Sequence, residues 1–297
     1  MTAIAPALRP APGIRADQQV VVAELADNYA GSHTLPMAEA VVAAVARDGA
    51  RRVTVASGGG YGLAVAHAAW RNGLRATVVQ PARWPGEHGE AARAFGAEVV
   101  DADGGYEDAI ADSRRRAGAS GIADGNLDGP YHDVALRALT VALVRAVGQL
   151  AEPPTAVWVP TGGGLTAVAA AAALDARGWP SPLFAVTASG ANAILASWPN
   201  SYRDLPRSAV TATRVNRPLA RWSAAHGRAA LTAVHLRHGR VYGVSDRSLR
   251  AAADRLAAAN VLASPAGAAG LAGLQATPDA DPGTHLVLVT SRPAVAA

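Results

Sequence analysis

Hydrophobic positions occur along the chain in two kinds of segment that repeat in turn. Short, continuous apolar runs predict strands, and longer segments in which apolar residues recur every three or four positions predict helices. Because strands without polar alternation are covered on both faces, this pattern indicates an α/β fold with a mostly parallel, doubly wound sheet. The predicted strands are 20–25, 52–56, 76–80, 98–101, 156–159, 183–188 and 286–290.

Residues at the ends of the periodic segments support several of the helices. Pro36 stands at a first-turn position, and Ser245 is a good N-cap. The Ala- and Gly-rich segment 266–275 suits close packing, whereas residues 1–19 and 199–217 show little periodicity. The predicted helices are 36–47, 63–71, 87–95, 106–117, 133–150, 165–176, 191–196, 218–226, 246–260 and 266–275.

Two glycine-rich turns, Ser57–Gly62 and Thr161–Gly164, each join a predicted strand to a predicted helix. Such a turn presents backbone N–H groups to an anion, and glycine lets the main chain approach that anion closely. The alternative is a tight turn in a packed sheet. The loop Asn28–Thr34 and Thr290 also follow strands, and ligands of such sheets bind at the carboxyl ends of strands. This convergence favours a phosphate or carboxylate site.

The basic residues exclude one kind of chemistry, because all 27 of them are arginine and the chain has no lysine. No side chain can therefore form a Schiff base, since arginine keeps its proton and is a poor nucleophile. The chain also has no cysteine. That absence excludes disulfides, thiolate metal sites and cysteine nucleophiles, and it fits a cytoplasmic protein.

Charge and hydropathy exclude several classes of partner. The net charge of +4 is modest and the arginines are scattered, so we expect no nucleic-acid partner. No apolar run approaches the roughly 20 residues that span a bilayer, and the first residues lack the apolar core of a signal peptide, so we expect no membrane partner. His235 and His238 are close in sequence but lack a carboxylate pattern, so we predict no metal site.

The order of the segments resembles that of a known family. An Asn-x-x-Gly-Ser loop at Asn28–Ser32 is followed by the two glycine turns, by Pro265-Ala266, and by a last strand that ends in Thr290. This order is similar to that of the fold-type II pyridoxal-phosphate (PLP) enzymes, which include threonine synthase, threonine dehydratase and the tryptophan synthase β group. The resemblance runs over residues 20–290, which is nearly the whole chain.

The resemblance implies a fold of two α/β domains with the tryptophan synthase β-like architecture. The larger domain would comprise residues 1–51 and 133–297, and the smaller, inserted domain residues 52–132. The active cleft would lie between them. Most relatives are homodimers, so we expect a homodimer.

The chain departs from the family where a lysine would bind the cofactor. The family's Gly-Ser-Phe-Lys-Asp-Arg segment corresponds to Gly31–Pro36, so the Schiff-base lysine falls on Thr34. The family asparagine that would hydrogen-bond the pyridoxal 3′-oxygen falls on Gly60, and the glutamate of a Glu-Pro segment falls on Ser264. The second glycine turn is kept, and Thr290 fits the position whose hydroxyl faces the pyridine nitrogen.

These departures lead us to predict a threonine synthase-like lyase or cyclase of specialised metabolism that uses no cofactor. Its substrate would be a small phosphorylated or carboxylated metabolite in the space that PLP vacates. Two alternatives stay open. One is a non-catalytic protein that binds PLP or a metabolite, and the other is an enzyme that uses PLP non-covalently, as a preformed aldimine with the substrate amine.

The candidate site residues follow from the same comparison. His33 lies beside the lost lysine and carries an imidazole, a group suited to proton transfer near neutral pH, so it is the best candidate for proton transfer unless its ring points out of the pocket. Tyr61 stands where the family has histidine, and it either donates a proton or packs. The catalytic candidates are His33, Tyr61 and Thr34. The candidates for substrate or anion binding are Asn28, Ser32, Ser57, Gly58, Gly59, Gly60, Thr161, Gly162, Gly163, Gly164 and Thr290.

Overall fold

The predicted alternation of strands and helices is present in the computed structural model, which describes residues 5–11, 13–82, 87–118 and 121–293. Its strands are β1 (Ala7–Ala11), β2 (Gln18–Glu24), β3 (Arg52–Ala56), β4 (Arg75–Pro81), β5 (Glu98–Ala102), β6 (Ile122–Asp124), β7 (Ala156–Pro160), β8 (Leu183–Ala188), β9 (Arg240–Val244) and β10 (Gly283–Val289). Its helices are α1 (Leu35–Arg47), α2 (Gly60–Arg71), α3 (Glu87–Ala94), α4 (Tyr106–Ala117), α5 (His132–Val147), α6 (Leu165–Ala176), α7 (Ala193–Ser197), α8 (Gly227–Leu236), α9 (Asp246–Ala258) and α10 (Ala269–Gln275).

The larger of two compact units comprises the described residues up to Asp27 and those from Thr140 to Pro293. Its six-stranded sheet has the order β1-β2-β10-β7-β8-β9. Every neighbouring pair is parallel except β1 with β2. The predicted α/β fold with a mostly parallel sheet is therefore confirmed.

The core of the larger unit is built around Trp158 on β7, which is fully buried. Its ring centroid lies 4.5 Å from that of Phe184 on β8 and 5.6 Å from that of Tyr242 on β9. Helix α10 approaches this strand closely, because a Cβ at Gly270 would lie 2.7 Å from the carbonyl oxygen of Trp158. The small residues of α10 thus have the packing role that their composition predicts.

The smaller unit runs from Asn28 to Leu139 and has a four-stranded parallel sheet of order β5-β4-β3-β6. Its lower bound differs from the predicted residue 52, since helix α1 packs against α2 of the smaller unit. The loop Asn28–Thr34 therefore belongs to the same unit as the turn Ser57–Gly62. The division into domains and the cleft between them stay predictions.

Several short elements differ from their sequence-based prediction. The predicted helix 218–226 does not form, because this segment makes its backbone hydrogen bonds to neighbouring loops, as described below. Strand β9 was not predicted, since Arg240, Tyr242 and Gly243 interrupt its apolar run. Strand β1 was missed because it contains Pro10 and pairs only along the edge of the sheet. No helix among the described residues is long and apolar enough to cross a membrane.

Candidate functional site

The glycine turn of the larger unit lies at the carboxyl end of β7 and leads into α6. Two of its carbonyl groups accept hydrogen bonds from other segments. Gly162 O accepts one from Asn192 Nδ2 at 3.1 Å, and Gly163 O accepts one from the His226 N–H at 3.1 Å. Thr161 is buried and donates from its hydroxyl to Val159 O at 3.0 Å. The hydroxyl of Thr161 is therefore engaged within the sheet.

The N–H groups of the same turn are left available. The N–H groups of Gly162, Gly163, Gly164 and Leu165 donate to no acceptor in the part of the chain that the structure describes. Leu165 begins helix α6, whose N-terminus carries a partial positive charge. A turn with tied carbonyls and available N–H groups at a helix start has the polarity that an anion requires.

The segment Pro218–Gly227 packs directly on this turn. A Cβ at Gly162 would lie 2.3 Å from Pro218 O, and a Cβ at Gly164 would lie 2.7 Å from His226 O. Gly164 also has a φ of +100°, a conformation that favours glycine. The region predicted as helix 218–226 thus forms an irregular segment that supports the turn, and two of the three glycines are required by this contact.

Asn192 is a site residue that the sequence reasoning missed. It is buried, donates from Nδ2 to Leu219 O at 2.5 Å as well as to Gly162 O, and accepts the N–H of Ile194 at Oδ1 at 2.8 Å. One side chain therefore joins the glycine turn, the supporting segment and the start of α7. The available signal was an asparagine at a helix start, which is a strong N-cap position.

Thr290 lies beside the glycine turn, at the end of the sheet where the carboxyl ends of β10 and β7 lie. Strand β10 pairs with β7 at Val287 and Trp158, and both Thr290 and Thr161 follow three residues later. Thr290 is buried, and its N–H donates to Gly267 O at 3.4 Å. The structure therefore brings these two predicted residues to the same end of the larger sheet.

The chain on either side of Thr290 is anchored by polar contacts. Ser264, which replaces the family glutamate, pairs its hydroxyl with that of Ser291 at 2.6 Å. Arg292 donates to the buried carboxylate of Glu24 at 3.0 Å and to Asp27 at 2.6 Å. The segment that carries Thr290 is thus held on both sides.

The loop Asn28–Thr34 of the smaller unit is organised by its own side chains. Asn28 Oδ1 accepts the N–H groups of Ala30 at 3.1 Å and Ser32 at 3.4 Å, and Asn28 Nδ2 donates to Ser32 O at 2.9 Å. The hydroxyls of Ser32 and Thr34 are buried and pair at 2.8 Å. Asn28, predicted to bind the ligand, is used to shape the loop, and Thr34 stands at the start of α1.

The turn Ser57–Gly62 is organised in the same local way. Ser57 Oγ accepts the N–H of Gly62 at 2.9 Å and that of Gly59 at 3.2 Å. The N–H groups of Gly58, Gly60 and Tyr61 have no acceptor among the described residues. Helix α2 begins at Gly60, three residues before the predicted start, so the N–H groups of Gly60 and Tyr61 belong to its first turn and that of Gly58 precedes the helix. They are suited to a carboxylate.

Gly60 brings the two loops of the smaller unit together. A Cβ at this position would lie 2.5 Å from Ser32 Cβ and 2.6 Å from Ala30 O. The space for a side chain at Gly60 is therefore taken by the Asn28–Thr34 loop. By contrast, a Cβ at Gly59 would meet no atom of the described residues within 4 Å, its chain neighbours apart.

Tyr61 is buried, and its hydroxyl donates to Gly125 O at 2.6 Å. Burial raises the pKa of this hydroxyl. Both observations favour the packing role over proton donation. The neighbouring Asn126 is a second residue that the sequence reasoning missed: its Oδ1 accepts the Ala56 N–H at 2.7 Å, and its Nδ2 donates to Ser113 Oγ at 3.0 Å. This contact fixes the end of β3, where the glycine turn begins.

His33 is half-buried in the turn between Ser32 and Thr34, directly before α1. Its position next to Thr34 agrees with the sequence comparison, and its role in catalysis stays a prediction. Among the described residues, no group of three histidine, cysteine, aspartate or glutamate side chains is placed to hold a metal ion.

The fold and the two turns define a class of protein, an α/β protein whose glycine turns lie at the carboxyl ends of parallel strands with N–H groups suited to an anion. A family model described as "Pyridoxal-phosphate dependent enzyme" matches residues 4–291. The chain therefore belongs to this family of PLP-dependent enzymes. A search of curated proteins by sequence found no match.

Solved structures with the same fold include three enzymes. A fungal L-serine ammonia-lyase from Rhizomucor miehei is 21% identical with a TM-score of 0.83, over 99% of this chain and 95% of that one. Threonine deaminase isoform 2 from Solanum lycopersicum is 18% identical with a TM-score of 0.82, over 98% and 84%. A PLP-dependent aspartate racemase is 16% identical with a TM-score of 0.81, over 98% and 91%. At such identities the likeness shows the fold alone.

The prediction that the protein uses no cofactor is wrong. The family that matches nearly the whole chain is PLP-dependent, so PLP is the expected cofactor. The absence of lysine excludes only a covalent bond between PLP and a side chain of this chain. The leading sequence-based prediction treated the loss of that bond as the loss of the cofactor, although the glycine turn that suits its phosphate is intact and one of the alternatives kept PLP without that bond.

The residues of the site fit PLP in part. The available N–H groups at Gly162–Leu165 suit its phosphate. Thr34 at the lysine position cannot form the covalent bond, and Gly60 has no side chain for the 3′-oxygen. The fit is thus to a cofactor that is held by its phosphate and not by a covalent bond.

Proposed function

We propose that the protein is a lyase or cyclase of the PLP-dependent family that holds PLP without a covalent bond to the chain. The substrate we propose is a small metabolite with an amino group and a carboxylate or phosphate. The observation that carries the proposal is the turn Thr161–Gly164, whose carbonyls are tied while its N–H groups have no acceptor among the described residues. A turn that served only to change the chain direction would not need this polarity.

Three parts of the chain have separate roles in this proposal. Gly162–Gly164 bind the phosphate of PLP, and the N–H groups of Gly58, Gly60 and Tyr61 bind a substrate carboxylate. When bound, PLP supplies an electron sink for a carbanion next to a substrate nitrogen. His33 accepts and returns the proton at that carbon, because an imidazole titrates near neutral pH and this chain has no lysine for the task.

The proposal is tested by titrating the purified protein with PLP while absorbance and thermal melting are followed together. We expect the melting temperature to rise with PLP concentration, since a ligand that binds only the native state stabilises it. Reduction with borohydride followed by denaturation should release all the cofactor from the chain. A sample with a blocked N-terminus controls for reaction at the α-amino group. No stabilisation by PLP in either sample would refute the proposal.

Replacing His33 with Ala should reduce turnover at least a hundredfold while the affinity for PLP stays within about twofold, because proton transfer by a placed base contributes roughly 10²–10⁴-fold. Exchange of the α-proton of candidate amino acids with deuterated water, followed by NMR, measures this without knowledge of the product. His132→Ala, in the first turn of α5, is the control. Unchanged exchange in the His33 variant would remove His33 from the mechanism.

A non-catalytic PLP-binding protein is the second candidate. It is favoured by the engagement of the Tyr61 hydroxyl with Gly125 O and by the absence of lysine. The same exchange experiment distinguishes the two, because a binding protein would be stabilised by PLP and yet exchange no α-proton from any small amino acid.

A further inference from the structure

The turn at residues 213–217, which contains Arg214 and Arg217, lies directly against the glycine turn of the larger unit. Its shape is held by two side chains: Asn216 Oδ1 accepts the N–H of Thr213 at 2.9 Å, and Thr213 Oγ1 accepts the N–H of Asn216 at 3.1 Å. Thr213 Oγ1 also donates to Asp246 Oδ2 at 2.7 Å, which ties the turn to the start of α9. This part of the backbone is therefore fixed before any ligand binds.

Arg217 is the residue of this turn whose side chain has no structural role among the described contacts. It directly precedes Pro218, whose carbonyl oxygen touches Gly162, so an extended arginine side chain at this point can reach the glycine turn. Its guanidinium is half-buried and makes no hydrogen bond or ion pair within the described part of the chain. Arg221, four residues later, differs, because it donates to Arg217 O at 3.0 Å and to Ala220 O at 2.5 Å.

The electrostatic setting of Arg217 is unfavourable without an anion. Burial and, to a smaller extent, the positive charge of Arg214 lower the pKa of Arg217, and no carboxylate of the described residues raises it. A half-buried charge next to a like charge costs free energy unless a counterion offsets it. The available N–H groups of Gly162–Leu165 on the adjoining turn are likewise suited to an anion.

We infer that Arg217 is a phosphate-binding residue that pairs with a phosphate monoester seated on the glycine turn. A planar guanidinium donates two parallel hydrogen bonds to phosphate, and such charge-assisted bonds are stronger than those from neutral donors. The phosphate belongs to the cofactor or to a phosphorylated substrate. The inference rests on the proposed function only where PLP supplies the phosphate, since inorganic phosphate should occupy the same place.

The test is isothermal titration of the protein with inorganic phosphate, O-phosphoserine, PLP and pyridoxal, which lacks the phosphate. The variants are Arg217→Gln, Arg217→Lys and, as a matched control, Arg214→Gln at the exposed neighbour. Arg217→Gln should lower the affinity for inorganic phosphate about tenfold or more, and Arg217→Lys should lower it by a smaller factor. Arg214→Gln should change this affinity by no more than about twofold. The difference in phosphate affinity between the wild type and Arg217→Gln should become smaller as the salt concentration is raised, because screening weakens the wild-type contact.

The outcomes separate the two sources of phosphate. If Arg217→Gln also weakens PLP and leaves pyridoxal unchanged, the phosphate is that of the cofactor. If it weakens inorganic phosphate and O-phosphoserine but not PLP, the phosphate is that of a substrate. A folded Arg217→Gln or Arg217→Lys protein that binds phosphate as the wild type does overturns the inference, as does a wild type that binds none of these ligands. A wild type that binds phosphate but not PLP contradicts the proposed function alone.

Discussion

The two glycine turns have similar sequences and are fixed in different ways. The turn Ser57–Gly62 is held by its own first residue, since Ser57 Oγ accepts the N–H groups of Gly59 and Gly62. The turn Thr161–Gly164 is held by distant residues, because Asn192 and His226 donate to its carbonyls. The first arrangement is local and the second is tertiary, so similar sequences can present N–H groups through unrelated supports.

Both turns contain a glycine with open space at its Cβ position next to a glycine that touches backbone. A Cβ would lie 2.3 Å from Pro218 O at Gly162 and 2.6 Å from Ala30 O at Gly60, whereas Gly163 and Gly59 have nothing within 4 Å. Close packing therefore explains Gly162 and Gly60, whereas Gly163 and Gly59 are left for ligand access. Substitutions at the two kinds of glycine should separate these explanations.

The largest effect is expected for Gly162→Ala. The added methyl group meets a backbone carbonyl that cannot rotate away, so the free energy of unfolding should fall by about 2–3 kcal/mol and PLP affinity by more than tenfold. Gly163→Ala is the matched control, and its stability should change by less than about 1 kcal/mol. Urea denaturation and PLP titration measure both. Equal destabilisation by the two variants would contradict the role assigned to Pro218.

The next effect is expected for Gly60→Asn, which restores the residue type of the family. Because the Ala30–Ser32 loop takes the space of this side chain, the variant should lose about 1–3 kcal/mol of stability without tighter PLP binding. Gly59→Asn places the same side chain in open space and serves as the control. A stable Gly60→Asn protein with higher PLP affinity would show that the loop can move aside.

A smaller effect is expected for Tyr61→Phe. It removes the hydroxyl that donates to Gly125 O, so the free energy of unfolding should fall by about 1–2 kcal/mol. The rate of α-proton exchange should stay unchanged, since the Tyr61 hydroxyl is assigned to packing. If the Tyr61→Phe variant lost α-proton exchange while its melting temperature stayed close to that of the wild type, Tyr61 would instead be a proton donor.

The smallest effect concerns pH and a buried histidine of the larger unit. His285 Nδ1 accepts the Trp158 Nε1–H at 3.2 Å, and His285 Nε2 lies 2.9 Å from Asp281 O, so the ring is neutral and donates from Nε2. Burial lowers the pKa of His285 below that of the unfolded chain. The unfolded state therefore takes up the proton first as pH falls, and stability should decrease below about pH 6.5.

The variant His285→Asn keeps an acceptor for Trp158 and cannot titrate in this range. Its free energy of unfolding should be lower at pH 7.5 but should change less between about pH 7 and pH 5 than that of the wild type. Denaturant titrations at several pH values measure the two slopes. Parallel pH profiles for both proteins would assign the acid sensitivity to other groups.

The elements that the sequence predicted well have local causes. Helices 106–117 and 165–176 and strand 183–188 occur with the predicted bounds, and Ser245 caps α9 by accepting the Ser248 N–H. Periodicity, capping residues and glycine turns act over a few neighbouring positions, so they can be recognised without the fold. The family resemblance was visible for the same reason, because it rests on the order of such motifs.

The residues that the sequence misjudged have contacts that are distant along the chain. Helical periodicity at 218–226 was overridden by contacts with Gly162, Gly163 and Ala191. Asn192 and Asn126 were not selected, since a single asparagine has no sequence pattern that reveals a partner far along the chain.

By itself, the sequence determined the α/β fold, the position of both glycine turns and the impossibility of a lysine Schiff base, because each of these depends on residue type or local spacing. Within the residues that the structure describes, only the tertiary structure decided which N–H groups remain available, why residue 60 must be glycine and that the Arg217 guanidinium has no partner. Those features depend on which backbone atoms meet when distant segments pack. That information is a property of the folded chain and not of any short stretch of it.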